Sequence, residues 1–175
     1  ITGGFDHIDI RGVDGETLRD KWKDGPSTFL GMLIHGFPNL LMPAGPQSGS
    51  ASTNYPRGIE TGVNWCTDLL EHMWEHGCMR AEATREAEER WTAHVTQMYS
   101  TMLMRKAKSW FTGYNSNVPG HEHGRIRYFV YNGGVPKYVA RITEVAQKGY
   151  EGILLTTGAP ASSGALLARG GNVVS

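Results

Sequence analysis

The stretch IETGVNWCTDLLEHMWEHG, residues 59–77, carries apolar side chains at Ile59, Val63, Cys66, Leu70 and Met73. Their spacing of three and four places them on one face of an amphipathic helix, which Gly77 can close as a left-handed cap. A helix of this length with one apolar stripe needs a packed partner. The residues that follow supply one. Thr84 reads as an N-cap, Glu86, Glu88 and Glu89 sit at the positive end of the helix dipole, and Ala87, Trp91, Val95, Met98 and Met102 form a second buried stripe. Further on, Asn132-Gly133-Gly134-Val135-Pro136 is a turn that starts a third helix with Tyr138, Ile142 and Val145 inward and Gly149 at its end.

Around these three helices the sequence predicts short strands. His7 to Ile10 reads as a strand, Val13-Asp14-Gly15 as a turn, and Thr17 to Trp22 as a short helix ended by Gly25-Pro26. Phe29 to Leu41 reads as two short strands joined by a His-Gly-Phe-Pro-Asn loop, and Arg125 to Tyr131 as another strand. Three helices with short strands make the expected class α/β or α+β. Residues 43–56 hold Gly, Ser, Pro, Asn and Thr, which predicts a loop too polar for a core element but long enough to touch something. Residues 156–175 are rich in Gly, Ala and Ser and are expected to be a poorly ordered tail after a unit spanning 1–155.

Lys plus Arg and Asp plus Glu both number 17, so no net charge draws the chain to nucleic acid or to an anionic membrane. The longest apolar run, Phe29 to Ile34, is far too short to span a bilayer. Cys66 and Cys78 lack metal or redox spacing and read as thiols in a reducing cytoplasm. No two glycines are separated by a single residue, which excludes a Gly-x-Gly-x-x-Gly dinucleotide fingerprint. Neither a Walker loop nor a Gly-x-Ser-x-Gly elbow is present. His72 and His76 share a helical face and could join His121-Glu122-His123 around a metal, but beside Glu71 and Glu75 they read better as a solvated surface, and no metal is expected.

Ser109 to Gly120, SWFTGYNSNVPG, mixes aromatics, amides and turn formers. Such a loop either closes over a ligand or plugs a core edge with Trp110 and Phe111. Together with YNGGVPKY and KGYEG it resembles the C-terminal region of flavin-dependent Baeyer–Villiger monooxygenases. GFDHIDIRGVDG, LRDKW, GFPNLL, AGPQSGSASTN and IETGVNW look like the same family's blocks in the same order, so the resemblance runs from about Ile1 to Leu155.

The resemblance implies a C-terminal fragment of a two-dinucleotide-binding-domain flavoprotein, in which NADPH and FAD together with O2 convert a small-molecule ketone to an ester or lactone. It also implies that Asn54 and Tyr55 border the flavin, that Ser52, Thr53 and Tyr55 line the substrate pocket, and that Trp110 belongs to a mobile loop over the nicotinamide. By the same resemblance, Tyr55 stands where relatives often carry Met or another apolar residue. The family's Gly-rich fingerprints, its Phe-x-Gly-x-x-x-His signature and its active-site arginine have no counterpart in these residues. The isolated chain is therefore expected to be inactive, to hold no catalytic residue of its own, and to associate through exposed strand edges. The alternative is a standalone ligand-binding or accessory protein descended from such an enzyme, with no retained cofactor required.

Overall fold

The computed structural model describes residues 5, 7–49, 54–117 and 129–157. Three long helices, α2 (Tyr55–Glu75), α3 (Arg85–Ser100) and α4 (Val135–Gln147), surround a core floored by residues 29–33. A one-turn helix α1 (Leu18–Lys21) precedes them, and strands β1 (Cys78–Ala83) and β2 (Ile153–Thr157) pair antiparallel, with Ala83 opposite Ile153 and Cys78 opposite Thr157. The expected α+β class holds, with β1 and β2 as the elements that sequence reading passed over. β2 includes Thr156 and Thr157, the first two residues of the expected tail, and 158–175 lie outside the described residues.

The helix ends follow their sequence signals. Thr84 accepts a hydrogen bond from Ala87 N at 3.1 Å, and Thr17 accepts one from Asp20 N at 3.1 Å. Gly77 and Gly149 turn in the left-handed region at φ 64° and 67°.

Where the sequence predicts strands, the described residues form none of them. Residues 7–10 curl through local bonds from Ile8 N to Phe5 O and from Ile10 N to Ile8 O. Within 29–41, Leu30 and Gly31 both take positive φ, 58° and 74°, so the chain doubles back after one bridge between Phe29 and Leu33. Residues 129–131 are not in a strand, and 125–128 lie outside the described residues.

The stripe of α2 is also rotated from the expected one. Gly62, Trp65, Cys66, Leu69 and Met73 are buried, whereas Val63 and Leu70 are 43% and 52% exposed. Two features set that rotation. The Trp65 indole N–H donates to Ile142 O at 2.9 Å, tying α2 to α4, and a Cβ on Gly62 would run into the carbonyl of Pro43. A second cluster, Leu18, Trp22, Ile34, Phe37 and Met42, packs under α1. It joins α3 through Lys21, whose Nζ lies 3.1 Å from Oε1 of the buried Glu88, while Glu88 Oε2 accepts from His35 N.

Candidate functional site

The polar segment expected to be a surface loop is buried from Pro46 to Gly49, and Gln47 is fully enclosed. Burial of an amide is tolerated only when its donors and acceptors are paired. Gln47 Nε2 donates to Pro26 O at 3.0 Å, and its Oε1 accepts from Thr28 Oγ1 at 3.0 Å and Thr92 Oγ1 at 3.2 Å. Its backbone N donates to Phe129 O at 2.7 Å, and its backbone O accepts from the Trp91 indole at 3.3 Å. Gln47 also holds φ 68°, a conformation that costs a non-glycine residue energy and persists where surroundings fix it.

The next two residues are clamped by close approaches. A Cβ on Gly31 would collide with the Ser48 backbone, and one on Gly49 would lie 2.5 Å from the Tyr138 ring. Tyr131 N donates to Ser48 O at 3.3 Å, and the Tyr131 ring stacks on Trp91 at 5.2 Å and 9°. Tyr138 donates its hydroxyl to Leu30 O at 2.8 Å, and burial pushes that phenol well above its ordinary pKa. A rigid base thus delivers the chain to position 49, just before the segment holding Ser52 and Thr53. Those two residues lie outside the described ones.

The chain re-emerges at Asn54, which caps α2 by accepting from Arg57 N at 3.4 Å, with Pro56 fitted to the first turn. Tyr55 is half exposed beside it. A shallow groove there is lined by Asn54, Pro56, Arg57, Ile59, Glu60 and Val63, and Trp110 does not line it. Asn54 and Tyr55 are neighbours at one helix start, and Trp110 does not border their groove.

Trp110 and Phe111 divide the two readings of their loop between them. Ser109 Oγ accepts from Phe111 N at 3.2 Å and caps the turn Trp110–Thr112, which Gly113 ends at φ 74°. Phe111 packs against the core and its carbonyl accepts from Phe129 N, so it closes the edge. Trp110 is 58% exposed and stacked on Phe111 at 4.1 Å. An indole presented outward on a partly buried, core-packed phenyl ring can cover a flat ligand.

Sequence reading missed the Gln47 node, whose partners Thr28, Thr92 and Trp91 are distant in sequence. It also missed a cleft of about 630 Å3 between α3 and α4, lined by Arg90, Trp91, His94, Tyr131, Lys137 and Arg141 among others. His72 and His76 lie with rings 4.1 Å apart, and His76 Nδ1 sits 2.8 Å from His72 O. Among the described residues no three His, Cys, Asp or Glu side chains gather as a metal site, and residues 121–123 lie outside them. No described helix is long and apolar enough to cross a membrane.

No protein-family model matches the chain. It is 40% identical over 155 residues to phenazine N-monooxygenase PhzNO1 of Lysobacter antibioticus, covering 89% of this chain and 27% of that protein. A Baeyer–Villiger monooxygenase of Pseudooceanicola batsensis is 35% identical over 154 residues, 88% of this chain and 27% of its own. This chain is homologous to the flavin-dependent Baeyer–Villiger monooxygenases. In three dimensions it is similar to the crystal structure of OTEMO in complex with FAD and NADP, with a TM-score of 0.79 and 34% identity over 89% of this chain and 28% of that one. The chain thus spans little more than a quarter of the length of these relatives, and its fold is similar to that of the matching segment.

Proposed function

We propose that this chain provides one wall of the flavin and nicotinamide site of an NADPH- and FAD-dependent monooxygenase that uses O2 to convert a ketone to an ester or lactone, and that the chain alone is inactive. The observation that carries this reading is the rigid Gln47 base delivering the chain to the start of α2, in a fold shared with an enzyme solved with FAD and NADP. Bound FAD would supply the redox and oxygen chemistry. The residues here bind and orient.

The chain's features fit that limited role. The first turn of α2 offers backbone N–H groups and the positive end of the helix dipole beside Asn54 and Tyr55, a suitable border for an electron-rich flavin edge. Ser52, Thr53 and Tyr55 are assigned to the substrate side. Trp110, outward on its Phe111 anchor, is assigned to cover the nicotinamide and exclude water. No glycine pair in this chain can seat a pyrophosphate in the manner of a dinucleotide fingerprint, so that anchor belongs to other polypeptide.

Residues 1–155 are assigned as the contributing unit, with a cytoplasmic setting that leaves Cys66 and Cys78 as free thiols. Self-association is assigned to β2. Asn39 covers the outer edge of β1 by bonding both Ala81 N and Ala81 O, whereas among the described residues no strand pairs with the far side of β2. The 40% identity to a phenazine N-monooxygenase favours aromatic nitrogen as a second acceptor class.

The test is a segment exchange in which this chain replaces the matching part of the phenazine N-monooxygenase. NADPH oxidation and product mass are then followed with phenazines and cyclic ketones. Oxygenated product that falls by about tenfold or more on Trp110→Ala supports the reading. A folded, flavin-loaded chimera that oxygenates neither class would sink it.

A further inference from the structure

Helix α2 is apolar over roughly half its circumference, and the fold buries only part of that arc. Gly62, Trp65, Cys66, Leu69 and Met73 face the core. At about 100° per residue, Ile59, Val63, Leu70 and Trp74 form a second stripe immediately beside it, running about 22 Å along the helix. Val63 is 43% exposed, Leu70 52% and Trp74 88%. Shallow grooves line both ends of this stripe, one at Ile59 and Val63 and the other at Leu70 and Trp74. Trp74 is the most exposed large apolar side chain among the described residues. Exposed apolar side chains aligned along one helix face mark a contact surface rather than scattered surface apolarity.

The border of the stripe is acidic. Glu60, Glu71 and Glu75 follow it along the side away from the core. The complementary surface is therefore apolar at its centre and basic at its rim.

We infer that the Ile59–Val63–Leu70–Trp74 face of α2 docks the polypeptide that completes the monooxygenase, through an apolar strip bordered by Lys or Arg. This rests on the proposed role as part of a longer enzyme. The occupant is argued from length: relatives match almost the whole of this chain yet are between three and four times longer. The unburied half of the arc gives that additional polypeptide a place to pack. The same contact would fix the angle of α2, whose N-terminus carries the Asn54 cap and Tyr55.

The experiment compares Leu70→Gln with Trp74→Gln, as a pair, in the free chain and in the segment-exchange chimera. Glu89→Gln, at an exposed position of α3, serves as control. In the free chain both positions already face water, so the pair leaves the melting temperature essentially unchanged. In the chimera the pair strands two amides in an apolar contact and weakens FAD retention by about tenfold or more.

A chimera that retains FAD equally well with and without the pair overturns the docking inference while leaving the functional reading intact. A chimera that folds without FAD, but is destabilised by the pair far more than the free chain is, supports the docking and sinks the functional reading. Equal destabilisation of both proteins overturns the inference, because the face would then be covered within this chain. Should the chimera not fold, the free chain is mixed with the phenazine enzyme lacking its matching segment. Co-sedimentation lost on Trp74→Gln supports the inference, and its absence with the unaltered chain overturns it.

Discussion

Gln47→Leu removes the amide at the centre of the buried node and keeps much of its volume. Pro26 O then loses its donor, and Thr92 Oγ1 loses the acceptor it reaches at 3.2 Å. Thr28 fares better, because its hydroxyl also lies 3.1 Å from Pro46 O and can turn to it. Two buried groups left unpaired cost about 1–3 kcal/mol each, so the expected loss is about 2–6 kcal/mol. A domain holds about 5–15 kcal/mol in total, so this one change removes a large share.

Urea unfolding followed by tryptophan emission reads this change well, because Trp91 donates to the same residue's backbone carbonyl. At a slope of about 2 kcal/mol/M the midpoint falls by about 1–3 M. Thr92→Val should cost less in the Gln47→Leu background than in the unaltered chain, with a coupling of about 1 kcal/mol. A loss below about 0.5 kcal/mol for Gln47→Leu, together with additive behaviour in the double variant, would refute the view that these polar groups depend on one another.

Gly62→Ala should force α2 away from the Pro43 carbonyl and lower stability by about 2 kcal/mol or more, read as a drop in melting temperature. Thr84→Ala should lose the α3 cap and cost about 1 kcal/mol in the same assay. Burial pushes the Cys66 thiol up to about 11, so at pH 8 a thiol reagent should modify the partly exposed Cys78 and reach Cys66 only on unfolding. Desolvation raises the Tyr150 phenol to about 12, above its unfolded value near 10. Its contribution to stability is therefore constant below about pH 10 and falls between about pH 10 and 12, and absorbance of the phenolate should appear late over that window.

Much of the helical framework was legible because its signals are local. Thr84, Gly77, Pro136 and Gly149 act within a turn of their own position, and Trp91, Val95, Tyr138, Ile142 and Val145 sit where their periodicity put them. The strands were less legible. A six-residue element such as β1, with Arg80 and Glu82 among alanines and a bulge after Cys78, shows no clean alternation. The predicted strand around Phe29 failed because Leu30 and Gly31 take left-handed conformations that reverse the chain. The stripe on α2 was read only in part, with Cys66 and Met73 buried but Val63 and Leu70 exposed, since apolar periodicity cannot say which of two adjacent faces a chain buries.

Within the candidate site, resemblance pointed to Trp110, Asn54 and Tyr55, and the structure gives each a physical setting: an outward indole stacked on the core-packed Phe111, a helix cap, and a half-exposed phenol beside it. What composition misread was residues 46–49. Polar residues suggest solvent, but Gln47 is enclosed because Thr28, Thr92, Pro26 and Trp91 satisfy it from distant parts of the chain. Only the folded arrangement shows those partners converging.

The central claim, that this chain forms part of a flavin site completed by other polypeptide, is tested most directly by titrating FAD into the free chain and into the segment-exchange chimera while following flavin fluorescence. The account predicts no quenching by the free chain and stoichiometric quenching by the chimera. Tight binding by the free chain, or a folded chimera that leaves FAD free in solution, would contradict it.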